Sequence, residues 1–88
     1  MSAVLTSDVL QDEVAVALAR VMAAANRRAG ECGVDVGQSL ITITQIFEGG
    51  LHWRINYGPR NYAGRRGGDL LVDVDPQDAS IRQTLRGQ

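Results

Sequence analysis

Lysine is absent from this chain, and cysteine and histidine occur once each. All nine basic residues are arginine, and with ten acidic residues the formal net charge is −1. That balance argues against a general nucleic-acid binder and against a protein that docks on a membrane surface. The single cysteine, Cys32, excludes an internal disulfide and a cysteine-based zinc site.

A long apolar run is also missing. The longest apolar segment, residues 14–25, is interrupted by Arg20 and is too short to span a bilayer. No basic segment followed by an apolar core stands at the N-terminus, so we expect no signal peptide and a cytoplasmic location. With 88 residues, 44% of them apolar, the sequence predicts one small soluble domain over residues 1–88.

The first half of the chain has the pattern of one long helix over residues 8–29. Ser7 or Asp8 is a suitable N-cap, with Gln11 placed as in a capping box, and Gly30 is a suitable C-terminal stop. The apolar residues recur at helical spacing and form one stripe: Leu10, Val14, Ala17, Leu18, Val21, Met22 and Ala25. We therefore expect this stripe to pack closely on a sheet or on a second helix.

Residues 40–57 have the pattern of a β-hairpin. A two-residue turn would mix core and solvent residues on each face, whereas the loop Glu48-Gly49-Gly50 separates them, so we predict the three-residue loop. Gly50 then takes the left-handed position. One face becomes the expected floor under the helix: Ile41, Ile43, Phe47, Leu51, Trp53, Ile55 and Tyr57, with Gln45 as a polar member that needs a partner if it is buried.

The rest of the chain adds a third strand and an ambiguous tail. Residues 58–68 hold too many glycines for a regular element, and residues 69–74 alternate, with Leu70, Val72 and Val74 inward and Asp69, Leu71 and Asp73 outward. The tail at residues 76–86 has two readings, a helix started by Asp75-Pro76 or a fourth strand carrying Ile81, Gln83 and Leu85. We favour the strand. The predicted fold is α+β, with one long N-terminal helix on a three- or four-stranded antiparallel sheet.

A resemblance to known families supports that choice. LHWRI at residues 51–55, GGDLLVDVD at residues 67–75 and the closing residues 81–88 resemble the last strands of PepSY-like and nuclear-transport-factor-like immunity domains. The resemblance implies a cystatin-like α-β-β-β-β order and the strand form of the tail. It also implies neutralisation of a toxin as one possible role, and it carries over no catalytic residue.

His52 and the arginines are the candidate functional residues. His52 lies on the non-core face of the hairpin with Arg54, but only Glu48 is near it in sequence as an orienting carboxylate, and no second histidine accompanies it for a metal site. Arg60, Tyr62, Arg65 and Arg66 fall in the glycine-rich segment, where guanidinium groups are suited to a carboxylate or a phosphate. A solvated loop is the more common role of such a segment.

We therefore predict a binding protein rather than an enzyme, with no catalytic residue, no metal and no cofactor. A domain this small exposes its sheet edges and the far side of its helix, and self-association would cover them, so we expect a homo-oligomer, first of all a dimer. A partner protein or a small anionic ligand is the other expected partner. The alternative is a small enzyme or an immunity-type protein that uses the polar face around His52 and Arg54.

Overall fold

The computed structural model describes residues 6–60 and 69–87 and has the predicted α+β architecture. Its elements, in chain order, are α1 (Ser7–Gln11), α2 (Glu13–Glu31), a short 3₁₀ helix (Val36–Gln38), β1 (Ser39–Ile46), β2 (His52–Pro59), β3 (Leu70–Val74) and β4 (Ile81–Arg86). The four strands form one antiparallel sheet in the order β1-β2-β3-β4. The tail is thus a strand, as we favoured, and no helix of the described residues is long and apolar enough to cross a membrane.

The predicted single helix is divided in two at Asp12. This residue has extended backbone angles (φ −87°, ψ 110°), and its carboxylate accepts a hydrogen bond from the backbone N–H of Ala15 at 3.0 Å. Asp12 is therefore the N-cap of α2, whereas Thr6, before α1, makes no side-chain cap bond. The prediction that Ser7 or Asp8 caps one continuous helix is wrong, because the sequence offers several acidic caps within one turn.

The end of α2 lies slightly beyond the predicted stop. Gly33, with φ +85°, is the left-handed residue, and Gly30 is inside the helix. The Gly33 N–H bonds to the Gly30 carbonyl and the Val34 N–H bonds to the Ala29 carbonyl, each at 3.0 Å, which is the Schellman pattern of helix termination.

The hairpin has the predicted register. Ile41 pairs with Tyr57, Ile43 with Ile55 and Ile46 with His52. Gly50 takes φ +96°, as expected for the third loop position, and Gly49 is also left-handed at φ +70°.

The core lies between α2 and the two middle strands. Val21, Ala25 and Ala29 of the helix pack on Ile55 and Tyr57 of β2 and on the predicted inward residues of β3: Leu70, Val72 and Val74. The Tyr57 hydroxyl donates a hydrogen bond of 2.7 Å to the Asn26 side-chain oxygen. Burial raises the pKa of Tyr57 to about 12, because the phenolate would lose its hydration there.

The expected floor is only partly covered. Ile43 and Leu51 are each 40% exposed, Phe47 is 76% exposed, and Gln45 lies in solvent, so it needs no protein partner. The helix packs mainly on β3 and less on β2, which leaves the edge strand β1 outside its cover. The prediction that all seven floor residues lie beneath the helix is therefore wrong for the β1 end of the hairpin.

The predicted apolar stripe of the helix is also only partly buried. Leu10 is 59% exposed and Val14 is 63% exposed, and the buried residues of α2 begin only at Val21. The N-terminal half of the helical region thus carries apolar side chains for which the sheet provides no cover.

The last strand is fixed to the rest of the domain by polar contacts. The Arg86 guanidinium donates to the Cys32 carbonyl at 2.7 Å, and Arg28 Nε donates to the Thr84 hydroxyl at 3.2 Å, so these contacts join β4 to α2 and to the residue that follows it. Residue 75 starts a turn rather than a helix, since the Asp75 carboxylate accepts from the Gln77 N–H at 2.8 Å.

Candidate functional site

The sheet face opposite the helix carries a group of interacting polar side chains. Strand alternation sends Arg54 of β2, Asp73 of β3 and Gln83 of β4 to this outer face, and the strand register places them in one row, with Arg54 paired to Asp73 and Asp73 to Gln83. His52 is two residues before Arg54 on the same face. We call His52, Arg54, Asp73 and Gln83 the polar cluster.

Asp73 is the centre of the polar cluster. It is 1% exposed, yet its carboxylate accepts three hydrogen bonds: from Arg54 Nε at 2.8 Å, from Arg54 Nη2 at 2.9 Å and from Gln83 Nε2 at 2.7 Å. The hydrogen bonds from Arg54 lower the pKa of Asp73, with Gln83 adding to the effect, although burial alone would raise it. The carboxylate is therefore held as an anion inside the sheet face.

Arg54 is the matching cation. Two of its nitrogens meet both carboxylate oxygens, which is the bidentate geometry that guanidinium groups prefer. The hydrogen bond to Asp73 raises the pKa of Arg54 above its already high ordinary value. Its side chain is 33% exposed, and none of the hydrogen bonds among the described residues uses its Nη1. Arg54 thus stabilises Asp73 while its side chain stays partly exposed.

His52 has an oxygen acceptor beside each ring nitrogen. Nδ1 lies 3.1 Å from the Gly50 carbonyl oxygen, and Nε2 lies 3.6 Å from Asp73 Oδ2. A carbonyl only accepts hydrogen bonds, so the bond at Nδ1 requires a proton on that nitrogen. His52 is 7% exposed, and among the described residues its ring makes one hydrogen bond, the one at Nδ1.

A shallow depression of about 330 Å³ borders the polar cluster. Ile46, Glu48 and Arg82 complete its wall. Arg82 donates a hydrogen bond of 3.0 Å to the Gly49 carbonyl and so joins β4 to the hairpin loop. Within residues 6–60 and 69–87 Arg82 forms no ion pair. The depression therefore combines one unpaired guanidinium with the exposed side of Arg54 and the carboxylate of Glu48.

The structure brings together only part of the predicted site. His52 and Arg54 meet around Asp73, but Arg60 follows Pro59 at the opposite end of β2, roughly 25 Å from His52 at the usual rise of a strand. Arg60 is exposed and lies outside the polar cluster. Tyr62, Arg65 and Arg66 lie outside the described residues.

Three members of the site escaped the sequence prediction. The three residues are Asp73 of β3 and Arg82 and Gln83 of β4. The sequence had offered only Glu48 as a carboxylate near His52, and in the structure Asp73 takes that place. The alternation of residues 69–74 did place Asp73 on the outer face. The sequence could not give the register of β3 on β2, because no turn motif between the two strands predicts it.

No family model matches the chain, and neither the curated proteins nor the solved structures that were compared with it include a match. The resemblance to PepSY-like and nuclear-transport-factor-like immunity domains, and the toxin-neutralising role that it implies, therefore stay predictions.

Proposed function

We propose that this chain is a binding protein that works as a self-associated dimer. One observation carries the proposal: among the described residues nine large apolar side chains are exposed and only eight apolar residues are buried. Scattered apolar residues are normal on a protein surface, but here several belong to elements that should face a core. We call six of them the uncovered apolar surface: Val9, Leu10 and Val14 on the helices, and Ile43, Phe47 and Leu51 on the hairpin.

The energetic gain from covering this surface is substantial. Burying a phenylalanine is worth about 1.5 to 3 kcal/mol, so Phe47, at 76% exposed, has most of that gain still to realise. The remaining members of the surface are smaller contributors of the same kind. A domain of 88 residues gains little from its own core, which makes a shared core with a second copy favourable.

The dimensions of the chain agree with an incompletely covered core. The Cα radius of gyration is 14.0 Å, against about 12 Å for a compact domain of this length. The shortest principal extent is 20 Å, beside 43 and 40 Å for the other two, so the molecule is a flat two-layer body. A flat body leaves more apolar surface outside, in keeping with association.

Sedimentation of the purified chain tests the proposal. We expect a mass of twice 9.5 kDa at micromolar concentration and a shift towards the monomer for Phe47→Ser. Leu85→Ser is the matched control, because Leu85 is 43% exposed but lies on β4, outside the uncovered apolar surface. A monomer at every concentration contradicts the proposal, and so does equal weakening by both substitutions.

A second binding function is favoured by the depression beside the polar cluster. Arg82 and the partly exposed Arg54 suit a carboxylate or phosphate group of a small ligand or of a partner protein. The burial of His52 and the hydrogen bond from its Nδ1 to the Gly50 carbonyl support binding over catalysis at this face.

Titration with inorganic phosphate, followed by chemical shifts of the backbone amides, tests the anion site. We expect saturable shifts at Gly49, Arg54 and Arg82 that Arg82→Gln removes. Arg27→Gln, which changes an exposed arginine on α2, is the control and should leave them unchanged. Uniform weak shifts over the whole chain would contradict a site in the depression.

A further inference from the structure

The two edge strands of the sheet differ in how well they are protected from pairing with another chain. An edge strand presents unpaired backbone N–H and C=O groups, and soluble proteins protect such edges with charges, bulges or short strands. β4 has these protections: Arg82 and Arg86 lie on it, and its pairing with β3 is interrupted by a register shift at Asp73 and Val74.

β1 has none of these protections. Its eight residues, SLITITQI, include no charge and no proline, and its ladder with β2 runs without a shift from Ser39 to Ile46. Five of the eight are β-branched residues, which favour a paired strand. Within residues 6–60 and 69–87, no strand pairs with the outer edge of β1. The side of the sheet that the helix leaves uncovered is this same side.

The sequence of β1 is also nearly the same in both directions. About Ile43 as centre, Thr42 mirrors Thr44, and Leu40 mirrors Ile46. The remaining mirrored pair within the strand is Ile41 and Gln45. An antiparallel copy of the same strand would therefore set threonine against threonine and aliphatic against aliphatic side chains, and such cross-strand pairs are favourable.

We propose that a second copy of this chain pairs with β1 in antiparallel fashion, giving one continuous eight-stranded sheet across a two-fold axis near Ile43. The inference rests on the proposed self-association and names the surface that carries it. A two-fold axis through the sheet keeps both helices on one side of the sheet. It also places every residue of β1 opposite a residue of the other copy whose side chain lies on the same face. The arrangement also closes on itself, whereas β1 against β4 of another copy would continue into a filament.

The pairing brings the exposed Ile43 of each copy together on the helix side of the sheet. Ile43 is 40% exposed in the single chain, between the half-buried Ile41 and the solvent-exposed Gln45. The two Ile43 side chains of the uncovered apolar surface then lie side by side, while the outer face gains two Thr42–Thr44 pairs.

Two double variants at the same exposed positions test this register. With Thr42→Lys and Thr44→Lys together, the lysine at position 42 of each copy lies opposite the lysine at position 44 of the other, and we expect the dimer dissociation constant to rise about tenfold or more. With Thr42→Lys and Thr44→Glu together, each lysine lies opposite a glutamate, and we expect a dissociation constant within about threefold of that of the unchanged chain. Leu85→Lys, which adds a positive charge to the other edge, is the control and should also stay within that range.

Disulfide trapping gives a second measurement. In a Cys32→Ser background, Ile43→Cys places a thiol opposite its own copy, within the Cα separation that a disulfide spans. We expect rapid covalent dimer from Ile43→Cys and little from Leu85→Cys.

The possible outcomes separate the two proposals. A chain that sediments only as monomer overturns both. A dimer that forms no Ile43→Cys cross-link above the Leu85→Cys level, and that responds equally to the two double variants, overturns pairing along β1 and leaves self-association standing.

Discussion

Replacing Asp73 by asparagine should destabilise the domain strongly. The asparagine keeps the shape of the side chain but loses its charge, and its amide nitrogen would face donors where the carboxylate accepted from Arg54 and Gln83. Hydrogen bonds to charged groups are worth about 1.5 to 3 kcal/mol each. Because Arg54 is one-third exposed and regains part of its hydration, we expect a loss of about 2 to 4 kcal/mol in the free energy of unfolding.

That loss is large for a domain of this size. At about 0.05 to 0.15 kcal/mol per residue, 88 residues are stabilised by roughly 4 to 13 kcal/mol. Urea unfolding followed by the fluorescence of Trp53, the single tryptophan, which packs against the core, measures the change. The midpoint should fall by roughly 2 M for an ordinary denaturant slope. Asp78→Asn is the control, since Asp78 is exposed and an asparagine still accepts the Ser80 N–H bond.

The pH dependence gives the same hypothesis a second test. The folded state lowers the pKa of Asp73, so its contribution is complete above the ordinary aspartate value of about 4 and is lost as the pH falls through the lower, folded value. The stability difference between the unchanged chain and Asp73→Asn should therefore narrow in acid. Two results would refute the central role of the Asp73 carboxylate in the polar cluster. One is a loss of under about 1 kcal/mol in the free energy of unfolding on Asp73→Asn. The other is a stability difference between the two chains that stays constant below about pH 4.

Three further predictions use other parts of the fold. In urea unfolding, Ile55→Ala should lower the free energy of unfolding by about 2 to 5 kcal/mol and Ile43→Ala by under about 1.5 kcal/mol. The two residues are paired across the hairpin, but only Ile55 is buried. Similar losses for both would contradict the position of the helix. Between about pH 10 and about pH 12 the free energy of unfolding should fall by roughly 2 to 3 kcal/mol, because Tyr57 ionises at a higher pH in the folded chain than in the unfolded one. Tyr57→Phe should lack this decline. An identical alkaline profile for both chains would contradict the role of Tyr57. Gly50→Ala should lower the free energy of unfolding by about 1 to 2 kcal/mol, because Gly50 has a φ of +96° that alanine rarely adopts. No atom crowds the added methyl group, so the loss comes from the backbone alone. An unchanged urea midpoint would count against this backbone strain.

The hairpin register was predictable because a single-residue slip changes the face of every side chain. Phe47, Ile43 and Ile55 belong to one face in only one alignment, so local sequence determines the pairing. The same sequence does not say which strands lie beneath the helix. Strand order depends on where β3 and β4 attach. Here β3 pairs with β2 and β4 with β3, and the helix packs mainly on β3, away from β1.

The site was predictable to the extent that alternation alone defines it. His52 and Arg54 were placed correctly on the outer face, and so was Asp73, but the contact between Arg54 and Asp73 joins residues 19 positions apart. No local sequence pattern predicts that these two residues are aligned. The helix break was missed for the opposite reason: Asp8 and Asp12 are both acceptable caps by residue type, and the local sequence does not choose between them.

The hydrogen bonds of the polar cluster change which candidate side chains remain available to bind a ligand. Arg54 and His52 were candidates because they lay on an open polar face, yet Arg54 uses two nitrogens on Asp73, and both nitrogens of His52 face oxygen acceptors. Their first role is to hold β2, β3 and the Gly50 loop together. We propose that the binding capacity left on the described surface lies in Arg82 and in the unprotected edge of β1. Of these, the edge has both the apolar area and the symmetry that a second copy requires.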